Sequence, residues 1–276
     1  MMKYQVSLSI AQQKVRLYLS SSRVSHMPKI LELQEISKNF GGIQALYRIS
    51  LSLNEGEVVG LIGPNGAGKT TLFNTICGTR PSEGSIFFKG EDITGLKSFQ
   101  ICRKGIARTF QLTRPFLEYS AQDNVAFALL FARNRNGVGG LREAREAAID
   151  ILRMVNLEHK AGNRAEGFGF GERRRLELAR AVATGPQLLM MDEVMSGLSV
   201  SEGRDMLAIV NRLRSGGNLT IFVIEHIMKM ISSLCERVIV LNYGKKLTEG
   251  PPSEVLRNKE VIAAYLGGED AGNQGP

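Results

Sequence analysis

Nine consecutive residues, Gly63-Pro64-Asn65-Gly66-Ala67-Gly68-Lys69-Thr70-Thr71, carry the most specific chemistry in the chain. The first eight fit G-x-x-x-x-G-K-[ST] in full. Glycines at this spacing let backbone N–H groups curl around a β-phosphate, and a helix starting at Lys69 adds the partial positive charge of its N-terminus. Lys69 can reach the β- and γ-phosphates, and the Thr70 hydroxyl is placed to hold Mg²⁺. The ligand implied by these residues is ATP with its magnesium ion. A chance glycine-rich turn would show the same letters, but here an apolar strand, Glu57–Ile62, precedes the loop and a helix, Lys69–Cys77, follows it.

Further residues could complete such a site. Leu188-Leu189-Met190-Met191-Asp192-Glu193 is an apolar strand ending in two carboxylates, about 120 residues after the loop. In nucleotide hydrolysis one carboxylate organises magnesium and a second can polarise the attacking water. Between them lies Ala107-Arg108-Thr109-Phe110-Gln111, and beyond them Val223-Ile224-Glu225-His226 places His226 after another apolar strand. A histidine there would meet the same sheet edge as the phosphates, although a lone histidine is more often structural. Gly169-Phe170-Gly171-Glu172-Arg173 is a glycine turn opening a helix, and hence a second anion-favouring helix N-terminus.

The elements that must position these groups follow from periodicity. From Lys29 to Leu53, alternation predicts an antiparallel β-layer with a turn at Gly41-Gly42. Residues 121–183 turn helical, most clearly over Leu141–Leu157, with Ala144, Ala147, Ala148, Ile151, Leu152 and Val155. Strands return at Gln187–Met191, Thr220–Ile224 and Arg237–Leu241, each separated by a helix-length segment, which implies a mostly parallel sheet with helices on its faces. No internal repeat is visible.

Composition excludes several classes. The longest apolar run, Val125 to Ala132, is far short of the roughly 18 residues a membrane span needs. The net charge is +8, and half of it comes from Lys3, Lys14, Arg16 and Arg23 in an acid-free segment 1–26. That distribution reads as a solvated face or attraction to anionic lipid headgroups, not as a nucleic-acid groove. Cys77, Cys102 and Cys235 stand alone, with neither metal nor disulfide spacing, and read as small hydrophobes in a reducing compartment.

The order of these features resembles the ATP-binding subunits of ABC transporters. Gly63–Thr71 is similar to the Walker A loop, Gln111 to the Q-loop glutamine and Gly169–Arg173 to the signature motif. Asp192-Glu193 is similar to Walker B with its catalytic glutamate, Ser196-Gly197-Leu198-Ser199 to the D-loop, and His226 to the switch histidine. Phe40 sits where the family stacks an aromatic ring on adenine. The resemblance implies an α/β fold of ABC ATPase type, with a P-loop NTPase core, an antiparallel β-subdomain and a helical subdomain at about 115–183. It covers residues 27–267, leaving 1–26 as an N-terminal extension, disordered or not native, and 268–276 as a disordered tail.

The resemblance also implies roles. Glu193, His226, Lys69 and Gln111 would be catalytic. Asp192, Thr70 and Gln111 would hold Mg²⁺. Phe40, the loop residues 63–71 and, from a second subunit, Gly169, Gly171 and Glu172 would bind ATP. The implied partners are a second ATP-binding subunit, two integral membrane permeases and, indirectly, a solute-binding protein, with the chain peripheral on the cytoplasmic face of the membrane and no nucleic acid involved. Phe40-Gly41-Gly42, Arg108-Thr109-Phe110-Gln111, the long insertion around Leu130–Ala144 and the ending Val261–Gly267 resemble importers of branched-chain amino acids, amides or urea. Two alternatives share much of the pattern: the ATPase of lipopolysaccharide export and a soluble nucleotide switch with weak turnover. One departure stands out. The signature's serine, whose hydroxyl would bond the partner's γ-phosphate, is Gly169 here. Val194 replaces the proline that usually follows Walker B, and Ser199 stands where the D-loop has Asp or Asn.

Overall fold

The computed structural model describes residues 28–110, 115–131, 139–215 and 219–266. The expected extension at 1–26, the tail at 268–276 and Gln111 lie outside the described residues.

Two sheets organise the chain. Strands β1 (Lys29–Phe40), β2 (Ile43–Asn54), β4 (Glu83–Phe88) and β5 (Glu91–Asp92) form an antiparallel sheet in the order β2-β1-β4-β5. The expected turn at Gly41-Gly42 joins β1 to β2. Leu31 opposes Leu53, Leu33 opposes Leu51 and Ile36 opposes Ile49, so the alternating apolar residues share one buried face.

The second sheet contains β3 (Val58–Ile62), β6 (Ile106–Arg108), β7 (Leu188–Asp192), β8 (Thr220–Ile224), β9 (Arg237–Asn242) and β10 (Lys245–Gly250), ordered β10-β9-β3-β8-β7-β6. All its pairings are parallel except that of β10 with β9. Strands β3, β7 and β8 are buried along their whole length, which explains their continuous apolar runs: both faces are covered.

Helix α1 (Lys69–Ile76) buries Leu72, Phe73 and Ile76 in a core shared between the antiparallel sheet and one face of the parallel sheet. The opposite face carries α3 (Ala121–Leu130), α4 (Leu141–Met154), α5 (Phe170–Ala183), α6 (Val200–Ser215) and α7 (Met228–Leu234). Helix α2 (Ser98–Lys104) precedes β6, and short α8 (Pro252–Val255) and α9 (Lys259–Leu266) close the described chain. Helix α4 stops at Met154, short of the expected Leu157. Asn156 takes a left-handed conformation (φ 57°), the usual way to end a helix, and a short 3₁₀ turn follows at Glu158–Lys160. The strand expected from Glu57 begins at Val58; the Glu57 carbonyl accepts the Ile221 N–H at 3.0 Å, its carboxylate accepts from Arg237 Nε at 2.7 Å, and Arg237 Nη2 also donates to the Ser52 carbonyl at 2.7 Å. This buried group binds β2 to the two strands on its other side.

Phe73 and Phe222 stack with ring centroids 4.9 Å apart, fixing α1 on β8. Phe73→Ala should cost about 3–5 kcal/mol of folding free energy, measured by urea unfolding.

Candidate active site

The phosphate loop leaves β3 at Gly63, whose φ is 149°; a Cβ there would lie 2.1 Å from the Leu241 carbonyl oxygen of β9. Gly68, at φ 99°, begins helix α1, and a Cβ on it would meet the Ala45 carbonyl at 2.7 Å. Only glycine fits either place. Lys69 is buried, and its Nζ donates to the carbonyls of Gly63 (2.7 Å) and Pro64 (2.9 Å). Burial lowers its pKa, against the opposing pull of Glu193 and Asp192. An anionic phosphate beside this ammonium would restore the charge balance that burial disturbs.

Strand β7 delivers the two carboxylates. Asp192 is buried; its Oδ2 accepts from Arg108 Nη2 at 2.6 Å, while Arg108 Nη1 donates to Asn74 Oδ1 on α1 at 2.6 Å. The other oxygen, Asp192 Oδ1, is buried without a hydrogen-bond partner among the described residues. Asp192 and Thr70 line the same groove. A hard-oxygen donor left unsatisfied beside a threonine hydroxyl fits Mg²⁺, which takes one or two protein oxygens and fills its octahedron with phosphate and water.

Glu193 follows in a left-handed conformation (φ 50°), its N–H bonded to the Ile224 carbonyl at 2.9 Å. That bend turns the side chain toward β8, where His226 Nε2 lies 2.6 Å from Glu193 Oε1. The intervening Glu225 is buried, which raises its pKa, and its Oε1 accepts the Met195 N–H at 2.9 Å. It thereby pins the segment after Glu193.

Two depressions flank the loop. One, of about 540 Å³, is lined by Ile43, Gln44 and Ala45, by loop residues Asn65 to Thr71, and by Glu193, Tyr243 and Gly244. Phe40 is exposed on β1, with Lys38 Nζ 5.0 Å from its ring centroid, and does not line this cleft. The other, a groove of about 870 Å³, runs from Thr70 and Asp192 past Phe99, Arg108 and Phe110 to Glu177 and Arg180 on α5.

Gly169, Gly171 and Glu172 line neither depression. They form the start of α5, where Glu172 Oε2 accepts the Gly169 N–H at 3.1 Å and Oε1 pairs with Lys160 at 2.5 Å. Burial opposes ionisation of Glu172, but these two partners prevail and lower its pKa. A Cβ on Gly169 would have nothing nearer than Glu172 Oε2 at 3.9 Å, whereas one on Gly171 would strike Glu202 at 2.4 Å.

Several residues with no role assigned from sequence hold this arrangement together, namely Arg108, Asn74, Glu225 and Glu177, while Tyr243 lines the smaller cleft. Arg108 and Glu225 adjoin motif residues, yet a charge beside a motif does not reveal its partner. Glu177 Oε1 accepts the Phe110 N–H at 2.7 Å, and Arg174 Nη1 donates to the Phe110 carbonyl at 3.1 Å. Helix α5 thus grips both sides of the residue before Gln111.

Comparison with known proteins gives this geometry its family. A family model described as "ABC transporter" matches residues 46–196, more than half the chain. The chain belongs to the ABC transporter family. It is an ATP-binding cassette, and the cassettes of that family are ATPases. A second model, "Branched-chain amino acid ATP-binding cassette transporter", matches residues 245–271. The cassette is 41% identical over 249 residues to the high-affinity branched-chain amino acid transport ATP-binding protein BraF of Pseudomonas aeruginosa, covering 86% of this chain and 98% of that one. It is 37% identical to LivG of Escherichia coli K12, of the same description, over 86% and 98%. The lipopolysaccharide export system ATP-binding protein LptB of Haemophilus influenzae is 31% identical over 86% and 97%. Among solved structures, the ADP conformation of MJ1267, an ATP-binding cassette of an ABC transporter, aligns with TM-score 0.79 at 29% identity, covering 87% of this chain and 99% of that one. No helix among the described residues is long and apolar enough to cross a membrane.

Burial pushes the Glu177 carboxyl up to about 7, against the opposing Phe110 N–H, Arg174 and Arg180. The folded cassette therefore binds more protons than the unfolded chain between about pH 4.5 and 7, and stability from this group falls as pH rises through that window. In urea unfolding from pH 5 to 8, Glu177→Gln should flatten the decline seen in the parent.

Proposed function

We propose that this cassette is the energy-coupling ATPase of an importer for branched-chain amino acids or related amides and urea. Support for the solute class comes from the match at residues 245–271 and from the named roles of BraF and LivG. The lipopolysaccharide-export reading has a relative too, at lower identity. An intact pair of Glu193 and His226 weighs against a switch without turnover.

The observation that carries the chemistry is the 2.6 Å contact between Glu193 and His226 beside the phosphate loop. Glu193 accepts a hydrogen bond from the attacking water, whose oxygen bonds to the γ-phosphorus as the bond to the β–γ bridging oxygen breaks; ADP and inorganic phosphate leave, and the water's proton passes by way of Glu193 to the phosphate. His226 orients Glu193 and contacts the γ-phosphate. Lys69 exchanges its carbonyl partners for β- and γ-oxygens. Asp192, Thr70 and Gln111 would hold Mg²⁺, which would supply neutralisation of the phosphate charge. Phe40 stacks on adenine from its place at the end of β1.

The signature at Gly169–Glu172 serves the loop of a second subunit, since it lines neither depression beside its own. A dimeric cassette, MJ0796, is similar to this chain with TM-score 0.73 at 26% identity, covering 80% of this chain and 98% of that one. The permeases dock in the 870 Å³ groove, whose rim carries exposed Phe99 and Phe110. The permease contact holds the chain at the cytoplasmic membrane face.

Reconstituted with its permeases and binding protein, the cassette should hydrolyse ATP faster when leucine, isoleucine or valine is supplied. A rate indifferent to all of these, and to amides and urea, would reject the importer. Glu193→Gln should lower turnover by about 100-fold or more while ATP is still bound. Gly169→Ser has room for its side chain and restores a hydroxyl donor to a charged acceptor, so it should raise ATP-driven dimerisation by roughly tenfold. Equal rates and dimerisation for parent and variant would show that another donor already compensates.

A further inference from the structure

The last described helix reaches back across the whole chain to the phosphate loop. The Gly63 N–H donates to the Tyr265 hydroxyl at 2.7 Å, a contact spanning 202 residues. Tyr265 lies on α9, which is fastened by buried Val261, and its ring packs on the core beneath the helical layer. Burial raises the Tyr265 pKa although the Gly63 N–H pulls the other way, so the hydroxyl stays neutral and available as an acceptor at physiological pH.

Gly63 is the pivot of the loop. Its N–H is held by Tyr265, its carbonyl accepts Lys69 Nζ at 2.7 Å, and its Cα faces the Leu241 carbonyl too closely for any side chain. The two peptide planes that meet at Gly63 are therefore both held, the one before it by Tyr265 of the C-terminal helix and the one after it by Lys69, with the Leu241 carbonyl crowding the Cα between them. Without the hydroxyl, the plane before Gly63 could turn to seek another acceptor, carrying the Lys69 acceptor and the following N–H groups with it.

We propose that Tyr265 is a positioning residue for nucleotide binding: its hydroxyl presets the orientation of Gly63, and through it the loop and Lys69. The inference rests on nucleotide binding by this loop, not on the solute carried. It gives α9 a role in setting the affinity of a site that lies far away in sequence.

The test is Tyr265→Phe in the full chain, which keeps the ring and removes only the acceptor. Binding of a fluorescent ATP analogue with Mg²⁺ should weaken about three- to tenfold, as expected for one net hydrogen bond expressed in a binding equilibrium. In the assembled transporter, KM for ATP should rise by a similar factor while kcat stays within about twofold. The thermal midpoint of the nucleotide-free protein should move little, and Val261→Ala, which loosens the packing of α9 but keeps the hydroxyl, should lower that midpoint with a smaller effect on affinity. Unchanged affinity in Tyr265→Phe, or a loss explained by a smaller folded fraction, overturns the proposal. Failure of the parent itself to bind the analogue would instead overturn nucleotide binding at the loop.

Discussion

Parallel strands hydrogen-bonded in register must end at the same edge, and the rest of this structure depends on that constraint. Leu61 pairs with Ile224, and Ile224 pairs with Asp192, so β3, β8 and β7 finish side by side. The residues that follow each strand, Gly63, His226 and Glu193, are therefore delivered to one place. Continuous apolar runs bury the strands on both faces and leave the chain few alternative registers, since a slip would leave ladder groups unpaired in the core.

That edge collects charge in a region largely shielded from water, and the surrounding elements compensate it. Lys69 rests on backbone carbonyls, Arg108 neutralises Asp192 while reaching Asn74 on α1, and Glu225 is satisfied by the Met195 N–H. Removing one partner from such a group leaves a buried charge uncompensated, at a typical cost of about 3–5 kcal/mol. The network thus makes the geometry rigid as well as polar. Where compensation is incomplete, at Asp192 Oδ1 and Glu177 Oε2, the structure offers places for a cation or a proton.

Helix α5 joins two parts of the machine. Its N-terminus carries the glycine turn at 169–171, and one and two turns into the helix Arg174 and Glu177 hold the Phe110 backbone beside the groove. A displacement of either end is transmitted along a rigid element to the other. The turn itself lines neither depression beside the chain's own loop.

By itself, the sequence determined whatever depends on local spacing: the phosphate loop between strand and helix, the apolar strands at 188–192 and 220–224, the glycine turn into α5 and the missing serine at Gly169. Steric need and periodicity write these directly into neighbouring residues. Only the tertiary structure decided which distant groups meet. Arg108 with Asp192, Glu193 with His226 and Tyr265 with Gly63 are separated by 84, 33 and 202 residues. Their pairing depends on strand order and helix docking, which no short window of sequence contains. Periodicity is equally silent on where α4 stops: the helix ends at Met154, ahead of Asn156 in a left-handed conformation, although the apolar spacing runs on to Leu157.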